Sequence, residues 1–186
     1  MGAKSMELET ITKVPVERLR LDRRNPRLLG TDENASDEAI VARLYLSSGL
    51  GELLQSLSAN GYMDIEPLVV ICGRDIDNGD LTVLEGNRRL AALRLLREPG
   101  LADRIASSQG FPITVPRIDK SLRATLDHVS VYPVANRERA RPLIGFKHIN
   151  GPAKWDAYTK AQFVARWYEA GRSEGYRSGG DRSIHR

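Results

Sequence analysis

The residues best suited to chemistry lie together in VLEGNRRLAALRLL, residues 83–96. A short apolar strand runs into Glu85, Gly86, Asn87, Arg88 and Arg89, and a leucine-rich helix begins at once. The first backbone N–H groups of a helix have no intrahelical partner and carry partial positive charge, so they attract anions. Gly86 removes a side chain where a phosphate would approach. Arg88 and Arg89 can fork bidentately onto phosphate oxygens, and Asn87 can donate or accept. Glu85 suits a hydroxyl, a metal ion or an orienting bond to an arginine. The same residues also fit a plainer arrangement, in which Glu85 caps the helix and the arginines lie on the surface.

The elements around this stretch follow from periodicity. Residues 14–21, VPVERLRL, alternate as a strand carrying Val14, Val16, Leu19 and Leu21. RRNPR follows, where Pro26 ends regular structure. Ser36 is placed to cap a helix whose first turn holds Asp37 and Glu38 and whose apolar members are Ile40, Val41, Leu44 and Leu46. A second helix, GELLQSLSANG, stops at Asn60-Gly61. EPLVVIC (66–72) and LTVLE (81–85) are predicted strands joined through a turn at Asn78-Gly79. The helix from Gly86 to Arg97 ends before Pro99-Gly100. FPITVPRI (111–118) is predicted as a strand, KSLRATLDH as a short helix, and VSVYPVAN as extended.

After Asn136 two helical stretches follow, RERARPLIGFKHI and KWDAYTKAQFVARWYEAG, the second holding Trp155, Tyr158, Phe163 and Trp167 as packing residues. The expected division is an N-terminal extension (1–13), a domain over 14–135, a helical segment over 136–171 and a flexible Ser/Gly/Arg-rich tail over 172–186. The element order predicts an α+β fold, a small mixed β-sheet flanked by helices, followed by the C-terminal helical segment.

Charge is unevenly shared. Residues 1–85 hold 9 Lys+Arg against 15 Asp+Glu, and residues 86–186 hold 19 against 9. A basic second half suits a polyanion, nucleic acid or the phosphates of a nucleotide, or forms a solvated basic face. Arg137, Arg139, Arg141, Lys147 and His148 crowd within a few helical turns. Of these, Arg137, Arg141 and Lys147 are candidates for contacts to a DNA backbone. One cysteine, Cys72, excludes an internal disulfide, and there is no Cys/His cluster for zinc. No apolar run approaches a membrane span and no signal peptide is evident, so no membrane partner and a cytoplasmic location are expected.

Four segments, in order, carry a family resemblance. EGNRRLAAL resembles the GERRxRA-type box of the ParB/sulfiredoxin superfamily. LRLDRRNPR resembles its first box, ELLQSLSANGYMDIEPLVV its helix-to-strand segment, and FPITVPRI the strand after the box. ANRER (Ala135 to Arg139) aligns more loosely with the family's E-N-x-x-R stretch, keeping Asn136 and Arg139 but with Ala135 in place of the acid.

The resemblance implies a nucleotide-binding fold that takes a nucleoside triphosphate of the CTP or ATP type, with Mg²⁺. It implies that Gly86, Asn87, Arg88 and Arg89 hold the phosphates, with Asn25, Arg27 and Arg139 reaching in and Asn136 near the metal. The box has Asn87 where ParB proteins usually have Glu. Sulfiredoxin's cysteine has no counterpart, which argues against sulfinic-acid reduction. ParB relatives often dimerise and bind DNA through a helix-turn-helix module, and the polar residues after Gly171 are too few for one. Other readings are an NTPase, a metal-dependent nuclease using Glu85 with Asp22 or Asp80, a small-molecule kinase with Glu85 as general base, and an interaction module with a dead site.

Overall fold

The computed structural model describes residues 8–25, 28, 34–72 and 79–147. Its fold is α+β. The strands are β1 (Thr12–Pro15), β2 (Leu19–Leu21), β3 (Leu68–Cys72), β4 (Leu81–Glu85) and β5 (His128–Val134). The helices are α1 (Asp37–Ser47), α2 (Leu50–Asn60), α3 (Asn87–Arg97), α4 (Leu101–Gln109), α5 (Lys120–Thr125) and α6 (Arg137–Gly145). The strands form one mixed sheet in the order β1-β5-β3-β4-β2. β1 with β5 and β3 with β4 are antiparallel, whereas β3 with β5 and β2 with β4 are parallel.

The single strand expected over 14–21 is instead two. A 3₁₀ turn at Val16–Arg18 splits it, and β1 and β2 end up on opposite edges of the sheet. The sequence contains the reason. Val14 to Val16 and Leu19 to Leu21 keep a period of two, but Val16 to Leu19 is a step of three, the repeat of a 3₁₀ turn. All four side chains are buried. The break sends β2 alongside β4, and so brings Asp22 to the start of α3.

β3 and β4 pair antiparallel as the turn signal predicts, although residues 73–78, with Asn78, lie outside the described residues. Their ladder slips at Val69/Val70: Glu85 faces Val69 while Val83 faces Val70, and Leu84 is left without a counterpart. Such a bulge re-aims the residues beyond it. It lets consecutive Val83 and Leu84 both be buried, and it delivers Glu85 and Gly86 to the helix entrance.

α3 lies at the heart of the core. Leu90, Ala91, Ala92, Leu93, Leu95 and Leu96 are all buried, so the helix is enclosed on most sides. Each buried leucine contributes about 1.5–3 kcal/mol. α1 starts as expected, with Ser36 Oγ accepting from the Ala39 N–H at 3.2 Å, and buries Ile40, Val41 and Leu44. Leu46, expected on that apolar face, is instead 66% exposed, because it points away from the stripe formed by the other three.

Residues 101–110 carried no expectation, and the one over 111–118 fails. α4 was not expected after Pro99-Gly100, yet Leu101 and Ile105, one turn apart, are both buried against the core. Residues 111–118 form no strand. Pro112 and Pro116 lack the N–H that a ladder requires, and the segment is irregular, with Ile113 buried. Cys72 is a partly buried member of β3 packed against the core.

The chain divides by compactness into residues 1–142 and 143–186, at Pro142 within α6. Residues 148–186, which include the second expected helix with its aromatic residues and the polar tail, lie outside the described residues. No described helix is long and apolar enough to cross a membrane.

Gly86 is fixed by this packing. Its φ is +100°, and a Cβ there would sit 2.2 Å from Leu68 Cδ2. Gly86→Ala therefore combines left-handed strain with a core clash, and is expected to destabilise the protein by about 2–5 kcal/mol in denaturant unfolding.

Candidate functional site

The entrance to α3 is organised around Asn87. Its side chain is 3% exposed, an unusual burial for an amide in a first helical turn. Nδ2 donates to the Val83 carbonyl at 2.6 Å, and Oδ1 accepts from the Asp22 N–H at 2.8 Å. Asn87 thus ties the end of β2 to the turn between β4 and α3. Its amide group is occupied by the fold rather than presented to a ligand.

Asp22 continues the chain of contacts. It is 3% exposed and its carboxylate accepts the fork of Arg137, Nη2 to Oδ1 at 2.5 Å and Nη1 to Oδ2 at 2.7 Å. Oδ1 also accepts from the Arg24 N–H at 3.0 Å. A buried carboxylate survives only when paired and hydrogen-bonded, and Arg137 supplies the pairing from the first turn of α6. Three segments distant in sequence, at residues 20–24, 83–87 and 137, meet at Asp22, the second at its backbone N–H and the third at its carboxylate.

The meeting point opens into a cleft of about 520 Å³, lined by Arg20, Leu21, Asp22, Arg23, Arg24, Asp37, Thr82 and Arg137. Four arginines stand against two aspartates. Arg20 is ion-paired to Asp80 at 2.8 Å, and Arg23 to Asp37 Oδ1 at 2.9 Å. Asp37 Oδ2 is held by Arg94 at 2.6 Å. The Arg20–Asp80 and Arg23–Asp37 pairs are partly exposed, and such pairs are worth roughly 0–1 kcal/mol. An incoming anion can therefore compete for the guanidinium groups. Arg94 itself keeps its proton even more firmly than usual. Burial works against the charge, but Glu98 and Asp37 outweigh it.

The expected phosphate grip has a different disposition. Arg88 Nη2 donates to the Gly49 carbonyl at 2.9 Å, while its Nε is buried without a partner. Arg89 folds back over the loop before β3. It donates to the carbonyls of Glu66 and, at 3.4 Å, Pro67, and lies 3.5 Å from the Glu66 carboxylate. Its Nη1 is also 3.5 Å from the Tyr62 hydroxyl. Burial pushes the Tyr62 phenol above its usual pKa, with the Arg89 charge opposing the shift. Arg88 thus leans on a neutral carbonyl at the start of α2, and Arg89 on the carbonyls of residues 66 and 67 and on the Glu66 carboxylate. Gly86 is filled on its Cβ side by Leu68 and Arg89, so packing requires the glycine whether or not a phosphate approaches.

The remaining expected site residues are scattered. Glu85 ends β4, partly exposed. Asn25 is largely buried at the turn after Asp22, where its N–H donates to the Asp22 carbonyl. Arg27 lies outside the described residues. Asn136, expected near a metal, caps α6: its Oδ1 accepts the Arg139 N–H at 3.0 Å. Arg139 forks onto Glu9 Oε1, at 3.1 and 2.6 Å. Arg141 lies 3.8 Å from Glu138, one turn back, and Lys147 is partly buried near the end of the described chain. Of the three DNA-backbone candidates, Arg137 is committed to Asp22.

Comparisons with protein-family models, with curated proteins and with solved structures give no match to this chain. The likeness to ParB proteins therefore stands on the ordered sequence segments alone. Sequence reasoning missed the arginine-lined cleft, although a signal was present: Arg20, Arg23 and Arg24 bracket a lone acid directly after a strand. Asp37 was expected only to favour the first turn of α1, yet it also holds two arginines.

The Asp22–Arg137 pair can be weighed by a double-mutant cycle. Arg137→Gln alone leaves a buried carboxylate unpaired, and is expected to cost about 1–3 kcal/mol after allowance for the partial exposure of Arg137. Asp22→Asn combined with Arg137→Gln should recover much of that loss, giving a coupling energy of about 0.5–3 kcal/mol in urea unfolding.

Proposed function

We propose that the chain is a ParB-like nucleotide-binding domain of a DNA-associated bacterial protein, taking a nucleoside triphosphate of the CTP or ATP type. One observation carries the reading. The three segments that the resemblance assigns to the phosphate site converge on Asp22, Asn87 holding its backbone N–H and Arg137 its buried carboxylate, and Asp22 and Arg137 line an arginine-rich cleft. The cleft is of a size that suits a small ligand, within the usual range of roughly 300–1,000 Å³. Its excess of guanidinium groups suits phosphate rather than a neutral or cationic ligand.

In this reading the box contributes in two ways. Asn87 positions Asp22, and through it Arg137. Arg88 and Arg89 exchange their present partners for phosphate oxygens, where a multiply charged acceptor adds opposite-charge attraction to the bonds their guanidinium groups donate. The first-turn N–H groups of α3 add their partial charge. The basic second half of the sequence makes association with DNA the wider setting.

A metal-dependent nuclease draws less support. Among the described residues no group of three or more His, Cys, Asp or Glu lies together.

Calorimetric titration with CTP, ATP and GTP tests the proposal. One of the three should bind, and the Arg88→Ala, Arg89→Ala double variant should bind at least about tenfold more weakly while remaining folded by circular dichroism. No binding by the unaltered protein at millimolar nucleotide would contradict the proposal. A double variant that binds as well as wild type would contradict the assignment of the box.

A further inference from the structure

The cleft offers arginines where a triphosphate site commonly offers a metal. Mg²⁺ demands oxygen ligands in near-octahedral geometry and is usually anchored by one or two carboxylates together with substrate phosphates. Among the described residues, the carboxylates lining this cleft are those of Asp22 and Asp37. Each of their four oxygens already accepts from a guanidinium group. Arg137 takes both oxygens of Asp22, at 2.5 and 2.7 Å. Arg23 and Arg94 take one each of Asp37, at 2.9 and 2.6 Å.

Of the other expected oxygen donors, Glu85 is not among the residues lining the cleft, and two more are engaged within the fold. Asn136 Oδ1 caps α6, and Asn87 Oδ1 accepts from the Asp22 N–H. Ala135 brings no side-chain oxygen. A dication placed on either aspartate would sit within a few ångströms of a fixed guanidinium charge, where like charges repel strongly. The donor set therefore does not fit a divalent cation. It does fit a polyanion: the guanidinium groups of Arg20, Arg23, Arg24 and Arg137 line one opening, and Arg20, Arg23 and Arg137 retain 47%, 40% and 33% side-chain exposure.

We infer that the cleft around Asp22 binds the triphosphate group of its ligand through arginine side chains alone, with no divalent cation bridging ligand and protein. The inference rests on the nucleotide reading above and specifies its chemistry. Arg23 is the first arginine a phosphate recruits, because its bond to Asp37 is partly exposed and Arg94 remains to hold that aspartate. Arg137 stays on Asp22 and faces the ligand with the remainder of its positive charge. Free triphosphate, more highly charged than its magnesium complex, is the preferred form of the ligand.

The test is calorimetric titration of the full chain with CTP, ATP and inorganic tripolyphosphate, first in EDTA and then in excess Mg²⁺. The expected result is binding in EDTA at an affinity equal to or higher than in Mg²⁺, with tripolyphosphate competing against the nucleotide. An Arg23→Gln, Arg24→Gln double variant, which leaves the Asp22–Arg137 pair intact, should weaken binding in EDTA by about tenfold or more while remaining folded by circular dichroism. Binding that appears only with Mg²⁺ would overturn the inference and leave the nucleotide reading standing. So would tripolyphosphate that fails to compete, or a double variant that binds normally. No binding of any ligand in either condition would remove the nucleotide reading and the inference together.

Discussion

The buried carboxylate of Asp22 is the constraint on which the site depends. A carboxylate that is 3% exposed must be compensated, and here the compensation comes from far away in sequence. The Arg137 guanidinium reaches it from α6. The backbone N–H of Asp22 is held by Asn87 at the start of α3. Removing either contact leaves a polar group buried and unsatisfied, so the end of β2, the first turn of α3 and the first turn of α6 are held as one unit. The cleft is the space left beside that unit. Its arginines are there because the chain on either side of Asp22 is itself basic.

The apolar side of α3 does the complementary work. Its leucines and alanines are nearly all enclosed, which fixes the axis of the helix and therefore the place where its first turn emerges. The slip in the β3–β4 ladder and the left-handed Gly86 then complete the transition from strand to helix within two residues. The opening thus couples a rigid core element to a charged surface, and the coupling runs through residues that are buried for structural reasons.

Much of this was legible in the sequence, for identifiable reasons. The α3 pattern was clear because six apolar residues recur at helical spacing behind a glycine, and the pairing of β3 with β4 followed from the turn signal between them. The split of residues 14–21 into β1 and β2 was also written there, as a three-residue step between Val16 and Leu19, but regular alternation on both sides hid it. The segment 111–118 misled because its β-branched residues read as a strand while its two prolines forbid a ladder. The box residues were recognisable as a group. Their division of labour was not, because it depends on partners: Asn87 resembles a ligand contact until Asp22 and Val83 are found beside it, and Arg89 resembles a phosphate grip until the carbonyls of residues 66–67 are found to hold it. Asp22, the residue that joins the site, was legible only as one acid among arginines, since burial and a partner 115 positions away cannot be read from spacing.

The central claim is that phosphate oxygens are gathered by the arginines around Asp22. Titration of ¹⁵N-labelled protein with a nucleoside triphosphate, followed at the arginine side-chain Nε–Hε resonances, tests it at the level of single residues. The account predicts that Arg23, Arg24 and Arg137 shift together and saturate at one ligand concentration. Saturable shifts confined to arginines outside the cleft, or no shifts at millimolar ligand, would contradict it.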